Sequence, residues 1–283
     1  MNVKNSTTKK WRKKIRIVKI IMLLLIISIL FTGCTKNELT AVSVVHMPDV
    51  EQGENKKGFT CTGLVYDKNE GVFYSGNIGK ALPTTEGFKS TIVKLSNDLE
   101  QNLGELKLYE IYPDMADIQG VTIDHSNDTF WFCSFAENMV RNVSKSGVDM
   151  GVIDFDRPIG IAYDNRDDSL WVLSNEFLCN IKKNGEVVRK IDVKIEGQDQ
   201  LYLDVQNNTM YFTAGVNYKG KNYVYSIDLN TEEICLKYIL KDSHAVEGIH
   251  IDNNKMYVLN DGYYHEGKEP VNQANIYDLY EEK

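Results

Sequence analysis

The chain reads as an all-β protein, a five-bladed β-propeller closed by an N-terminal strand, and three observations predict it. A module of two short β-type runs joined by an Asp-led turn recurs five times along the 283 residues. The turn aspartates Asp67, Asp124, Asp164, Asp204 and Asp252 follow one another at 57, 40, 40 and 48 residues, room for four strands per repeat. Pro, Gly or Asn interrupts each apolar stretch beyond residue 34 before three helical turns accumulate, which disfavours helical repeats of similar period. With 42% hydrophobic and 25% charged residues, the composition is that of an ordinary globular protein.

In chain order, residues 1–33 come first and stand apart. They carry 8 of the 32 basic side chains and no acid, which leaves 24 basic against 40 acidic groups from Cys34 onward, a net −16. Such a surface repels phosphate backbones, so no nucleic-acid partner is expected. The apolar run 20–31 is 12 residues long. That is short of the roughly 20 of a spanning helix and within the roughly 7–15 of a signal-peptide core. The run ends in Leu30-Phe31-Thr32-Gly33-Cys34, which resembles a bacterial lipobox. The resemblance implies a lipoprotein signal peptide over 1–33, cleavage before Cys34 and lipidation of its thiol. The expected location is the bacterial cell membrane, lipid-anchored, on the extracytoplasmic face. An uncleaved N-terminal anchor is the alternative.

The propeller domain is expected over 34–283, with 34–38 as a short tether and 39–47 as an orphan strand. The five copies begin at Thr62-Gly63-Leu64, Gln119-Gly120-Val121, Ile159-Gly160-Ile161, Asp199-Gln200-Leu201 and Glu247-Gly248-Ile249. Each runs to its aspartate, turns, and returns through a second β-branched and aromatic run, at 72–77, 130–135, 170–175, 210–215 and 256–261. Further strands are expected at 140–144 with 151–155, and at 178–182 with 187–193. Residues 80–90 and 215–221 read as long loops, and 275–280 as a last strand. Pairing 39–47 into the last blade would close the ring and remove an exposed edge.

The repeat separates periodic residues from singular ones. The five aspartates suit turns, where a carboxylate accepts bonds from the following N–H groups. Trp131 and Trp171, with Phe73, Tyr211 and Tyr257, read as packing between blades. The residue before the repeat glycine varies (Thr62, Gln119, Ile159, Asp199, Glu247), and so does the end of the second run (Asn77, Phe135, Asn175, Gly215, Asp261). The first five are expected to ring the channel mouth, with Asn175, Asn260 and Asp261 nearby. Gln119, Asn175, Asp199, Glu247, Asn260 and Asp261 are therefore the candidate ligand- or metal-binding residues, offering oxygen ligands to a hard cation such as calcium. A hydrated funnel without an ion is the alternative. No GxSxG elbow, HExxH pattern or complete P-loop is present, and no catalytic residue is assigned. Ser243-His244 before Glu247 is an outside candidate for acid/base work. Cys61, Cys133, Cys179 and Cys235 match neither a compact disulfide framework nor a zinc site and read as buried thiols.

At Glu247-Gly248-Ile249-His250-Ile251-Asp252 and 256–261, and more loosely at the other copies, the chain resembles the SdiA-regulated family of bacterial envelope proteins. That resemblance implies an NHL-like five-bladed propeller with a calcium site. A second resemblance, on Glu247, Asn175 and Asp261, is to the six-bladed SMP-30/gluconolactonase group, which implies a divalent-metal lactonase or esterase. The leading expectation is a membrane-anchored binding or scaffold protein with an unidentified protein or small-molecule ligand. The metal-dependent hydrolase is the alternative.

Overall fold

The computed structural model describes residues 36–51, 57–79, 87–216, 220–260 and 271–279. Five sheets, antiparallel but for one added strand, stand round one axis, and each repeat forms one of them. Blade 1 is β5 (Cys61–Asp67), β6 (Val72–Asn77), β7 (Thr91–Leu95) and β8 (Asn102–Leu106). Blade 2 is β9 (Val121–Asp124), β10 (Thr129–Ser134), β11 (Met139–Ser144) and β12 (Asp149–Asp154). Blade 3 is β13 (Gly160–Asp164), β14 (Ser169–Leu173), β15 (Phe177–Lys182) and β16 (Val187–Asp192). Blade 4 is β17 (Gln198–Asp204), β18 (Thr209–Ala214), β19 (Gly220–Asp228) and β20 (Ile234–Ser243). Blade 5 is β21 (Val246–Asp252), β22 (Lys255–Asn260) and β23 (Gln273–Asp278) with β2 (Ser43–His46) outermost. The first strands β5, β9, β13, β17 and β21 each touch the next, and β21 touches β5, so the ring is closed.

The closing segment is divided between two blades. The span 39–47 reads as one strand, but the chain forms two. β1 (Asn37–Leu39) pairs in parallel with β20 of blade 4, and β2 then pairs antiparallel with β23 of blade 5. The segment is thus a strap across the junction between these blades, and β1 begins inside the span expected as tether. A short hairpin, β3 (Val50–Glu51) with β4 (Lys57–Gly58), follows it. A helical turn at Leu108–Ile111, which the sequence reading did not predict, lies between blades 1 and 2.

The core lies between blades, because alternation gives each sheet two apolar faces. Five clusters fill the five junctions: Ile118 and Phe132 with Tyr74 at the first, Trp131 and Ile161 at the second, Trp171 and Phe212 at the third, Leu240 and Met256 at the fourth, Phe59 and Leu259 at the fifth. Strand pairing corrects one equivalence. Asp67 lies opposite Val72 as Asp124 lies opposite Thr129, so Tyr74, not Phe73, matches Trp131, Trp171, Tyr211 and Tyr257.

The repeat aspartates hold turns, as their position predicts. Asp67 Oδ1 accepts from the Asn69 and Glu70 N–H groups, and Asp204 Oδ1 from those of Gln206 and Asn207. Two also take a lysine from the next blade: Lys145 reaches Asp67 at 2.7 Å, and Lys183 reaches Asp124 at 2.6 Å. Both lysines directly follow the third strand of their blade. At the third junction Asp164 is held by Arg166 of its own turn at 2.6 Å.

Cys133 and Cys179 are free, buried thiols. Burial raises both above the usual thiol range, and the nearby Asp117 charge adds to the rise at Cys133. Cys61 is also buried, its Sγ facing the Asn260 carbonyl at 3.5 Å. Cys235 departs from the expected buried thiol: it stands half-buried on the outer strand β20 and is disulfide-bonded.

Candidate functional site

The first strands approach one another so closely that the axis leaves almost no room for side chains. A Cβ on Gly248 would lie 2.6 Å from the Gly63 carbonyl carbon, one on Gly63 2.7 Å from Val121 N, one on Gly120 2.7 Å from Ile161 N, and one on Gly160 2.8 Å from Asp199 O. Each glycine thus abuts the next blade, a close approach that only an absent Cβ permits. Blade 4 breaks the rule with Gln200. Its side chain is buried and reaches blades 3 and 2. Nε2 donates to Ile159 O of blade 3 at 2.9 Å, and Oε1 lies where a Gly120 Cβ of blade 2 would meet it at 2.7 Å. Gln200 thus bridges the first strands of blades 4, 3 and 2 at this level, and the channel mouth on the side of the preceding residues is termed the cup.

Around the cup stand the residues that precede the glycine positions. Thr62 is buried and donates through Oγ1 to Ile118 O at 3.1 Å, bridging blades 1 and 2. Ile159 supplies an apolar segment. Gln119 is half-buried, and its Nε2 donates to Asp117 Oδ2 at 3.0 Å. Asp199 is half-buried and its Oδ1 accepts from Gln200 Nε2 at 2.7 Å. Glu247 is buried, and its carbonyl accepts from Thr213 Oγ1 at 2.9 Å. The five rim positions therefore carry two carboxylates, an amide, a hydroxyl and no basic side chain.

The remaining candidates divide. Asn175 is exposed on the turn after β14, outside the ring of first strands. Asn260 is fully buried and committed to the backbone: Oδ1 accepts from His244 N at 2.6 Å, and Nδ2 donates to Gln273 O at 3.3 Å. Asp261 and Cys34 lie outside the described residues. Among the described residues no three His, Cys, Asp or Glu side chains gather as a metal site would require. The oxygen donors of Gln119, Asp199 and Glu247 suit a hard cation in type, without forming such a cluster.

Two features escape the sequence reading. Asp117, buried ahead of the second copy, accepts from Ser134 Oγ at 2.7 Å, from the Phe135 and Ala136 N–H groups and from Gln119, so it fixes the Gln119 amide. No repeat position marks it. The second is a cavity of about 480 Å³ between blades 1 and 2, lined by Tyr74, Phe130, Ile92, Lys94, Lys145 and Glu70. Its two ammonium groups both bind Glu70, and Lys145 and then Lys94 hold that carboxyl down at about 2. Lys145 also pairs with Asp67 and Asp128, so the two ammonium groups are matched by carboxylates.

Between second and third strands the chain runs 13 residues in blade 1 (78–90) and 12 in blade 5 (261–272), against 5, 4 and 3 in blades 4, 2 and 3. Blades 5 and 1 thus carry the long connections, segments of the kind in which binding residues concentrate.

No family model matches the chain, and no curated protein matches it. Among solved structures, a chain of the nidogen/laminin complex aligns at TM-score 0.50 with 12% identity, over 77% of this chain and 84% of that one. Virginiamycin B lyase from Staphylococcus aureus aligns at TM-score 0.44 with 18% identity, over 78% and 66%. Kuenenia stuttgartiensis hydrazine synthase aligns at 0.46 with 12% identity, over 82% and 67%. At these identities the likeness is one of fold.

Proposed function

We propose that this β-propeller is a membrane-anchored extracytoplasmic binding protein that takes a cationic ligand, calcium being the simplest, in the cup beside Gln200. The observation that carries the reading is the rim itself: Asp199, Glu247 and the Asp117-oriented Gln119 stand round the channel mouth with no basic residue among them. Carboxylate and amide oxygens are the ligands a hard cation selects. The long connections of blades 5 and 1 are where a larger partner would be gripped. The SdiA-regulated resemblance agrees with this reading, and no observation favours the hydrolase.

Thermal unfolding of the full chain in detergent, with calcium, manganese or EDTA, tests it. A cation at 100 times its dissociation constant adds about 2.7 kcal/mol of stability. The expected result is a calcium-dependent rise in Tm that Glu247→Ala and Asp199→Asn each abolish. A Tm that no metal moves overturns calcium as the ligand.

A further inference from the structure

We propose that the rim formed by β1, β2 and β20 lies on an anionic lipid surface, so that the cup opens along the membrane rather than away from it. The inference rests on the anchor reading and adds an orientation to it. The first described strand, β1, begins at Asn37, three residues after Cys34 in the sequence. Three extended residues span at most about 11 Å, so acyl chains on Cys34 hold β1 at the level of the lipid headgroups.

The chemistry of this rim differs from that of the rest of the chain. Residues 39–48 contain no Asp, Glu, Lys or Arg, and Val42 and Val44 are 52% and 46% exposed. Beside them Lys221 and Lys241 bind Glu38 at 2.9 and 2.7 Å, with Lys237 on β20. Against these three ammonium groups stand Glu38 and Asp242, a local excess of positive charge on a body that is otherwise strongly acidic. An apolar edge flanked by lysines complements an anionic interface.

The edges give an independent observation. The ladders that join the outer strands β8, β12 and β16 to the third strands each carry a register shift, opposite Lys94/Leu95 of β7, Asn142/Val143 of β11 and Asn180/Ile181 of β15. Such bulges guard an exposed edge against pairing with another chain. The ladder between β2 and β23 runs from Ser43 to His46 without one. An edge that is regular, uncharged and partly apolar is built to be covered.

Hydroxyl-radical footprinting of the full lipidated chain tests the proposal, comparing phosphatidylglycerol-containing vesicles with detergent. Oxidation at Val42 and Val44 should fall several-fold in the vesicles, while Val148, Met150 and Val152 beside or on β12 stay unchanged. The double variant Lys221→Gln/Lys241→Gln should remain vesicle-bound and lose most of that protection. Equal oxidation in vesicles and detergent, with the chain still floating with the lipid, overturns the orientation and leaves the anchor standing. Protection already present in detergent and rising with protein concentration means that a second copy covers β2, which also overturns it. A chain that does not float and carries no lipid on Cys34 overturns the anchor reading and this proposal together.

Discussion

His250 shows how much one side chain can be set by the rings around it. It lies on β21 with Tyr202 at 5.2 Å, Phe73 at 5.4 Å, Tyr66 at 5.7 Å and Tyr257 at 6.3 Å between ring centroids. Its Nε2 is buried and has no hydrogen-bond partner among the described residues. Burial lowers its pKa from 6.5 to about 4, against a weaker upward pull from Asp252. Below pH 6.5 the unfolded chain gains a proton that the folded chain refuses, so folding loses stability as the pH falls from 6.5 toward 4. The loss assignable to this one group is on the order of 3 kcal/mol. His250→Phe keeps the ring packing and removes the titration. Urea unfolding at pH 7 and pH 4.5 should show a smaller acid loss in the variant than in the parent, and equal losses would refute the assignment.

Between neighbouring blades the lysine braces act as elements of assembly. Asp124 has no exposed side-chain surface, and burial alone would raise its pKa, but Lys183, Ser126 and Asn127 outweigh that and hold it well below the usual carboxylate range. Removing Lys183 strands a buried charge, a change that costs about 3–5 kcal/mol at a fully buried pair. Lys183 keeps some solvent contact, so Lys183→Met should cost about 2 kcal/mol, less than a fully buried pair because water screens the ammonium. Lys183→Met/Asp124→Asn should recover most of it, since the stranded charge is then gone. A double variant as unstable as the single one in urea titrations would show that packing, not charge, makes the junction. A signal for these braces was present in the sequence, a lysine just after the third strand in two consecutive copies. It was illegible because the equivalent position is Leu229 in blade 4, and because contact between blades depends on how the ring closes.

At the scale of the whole molecule, the same division separates what sequence reveals from what it hides. Repetition made the five blades legible, because each copy had to supply its own strands, turn and apolar faces. The cup was half legible. Gln119, Asp199 and Glu247 varied where the scaffold did not require them to, but the Gln200 bridge and Asp117 depend on distances in the folded ring. The strap was misread as one strand because 39–47 is an unbroken β-type run, and what divides it is the junction it must cross. That crossing has a mechanical consequence. Leu39 and Ala41 pack into the core between blades 4 and 5, and Val45 packs against the core between blades 5 and 1. Losing three partly buried apolar side chains costs on the order of 3 kcal/mol. It also uncovers the edges of β20 and β23, which then become templates for another chain. A chain starting at Met47 should therefore unfold at lower urea than one starting at Thr35, and should associate as its concentration rises. Unfolding midpoints from equilibrium titration, with light scattering across a concentration series, check both effects. A monomeric truncated chain with an unchanged midpoint would show that the ring is closed by contact between the first strands alone and that the strap contributes nothing to it.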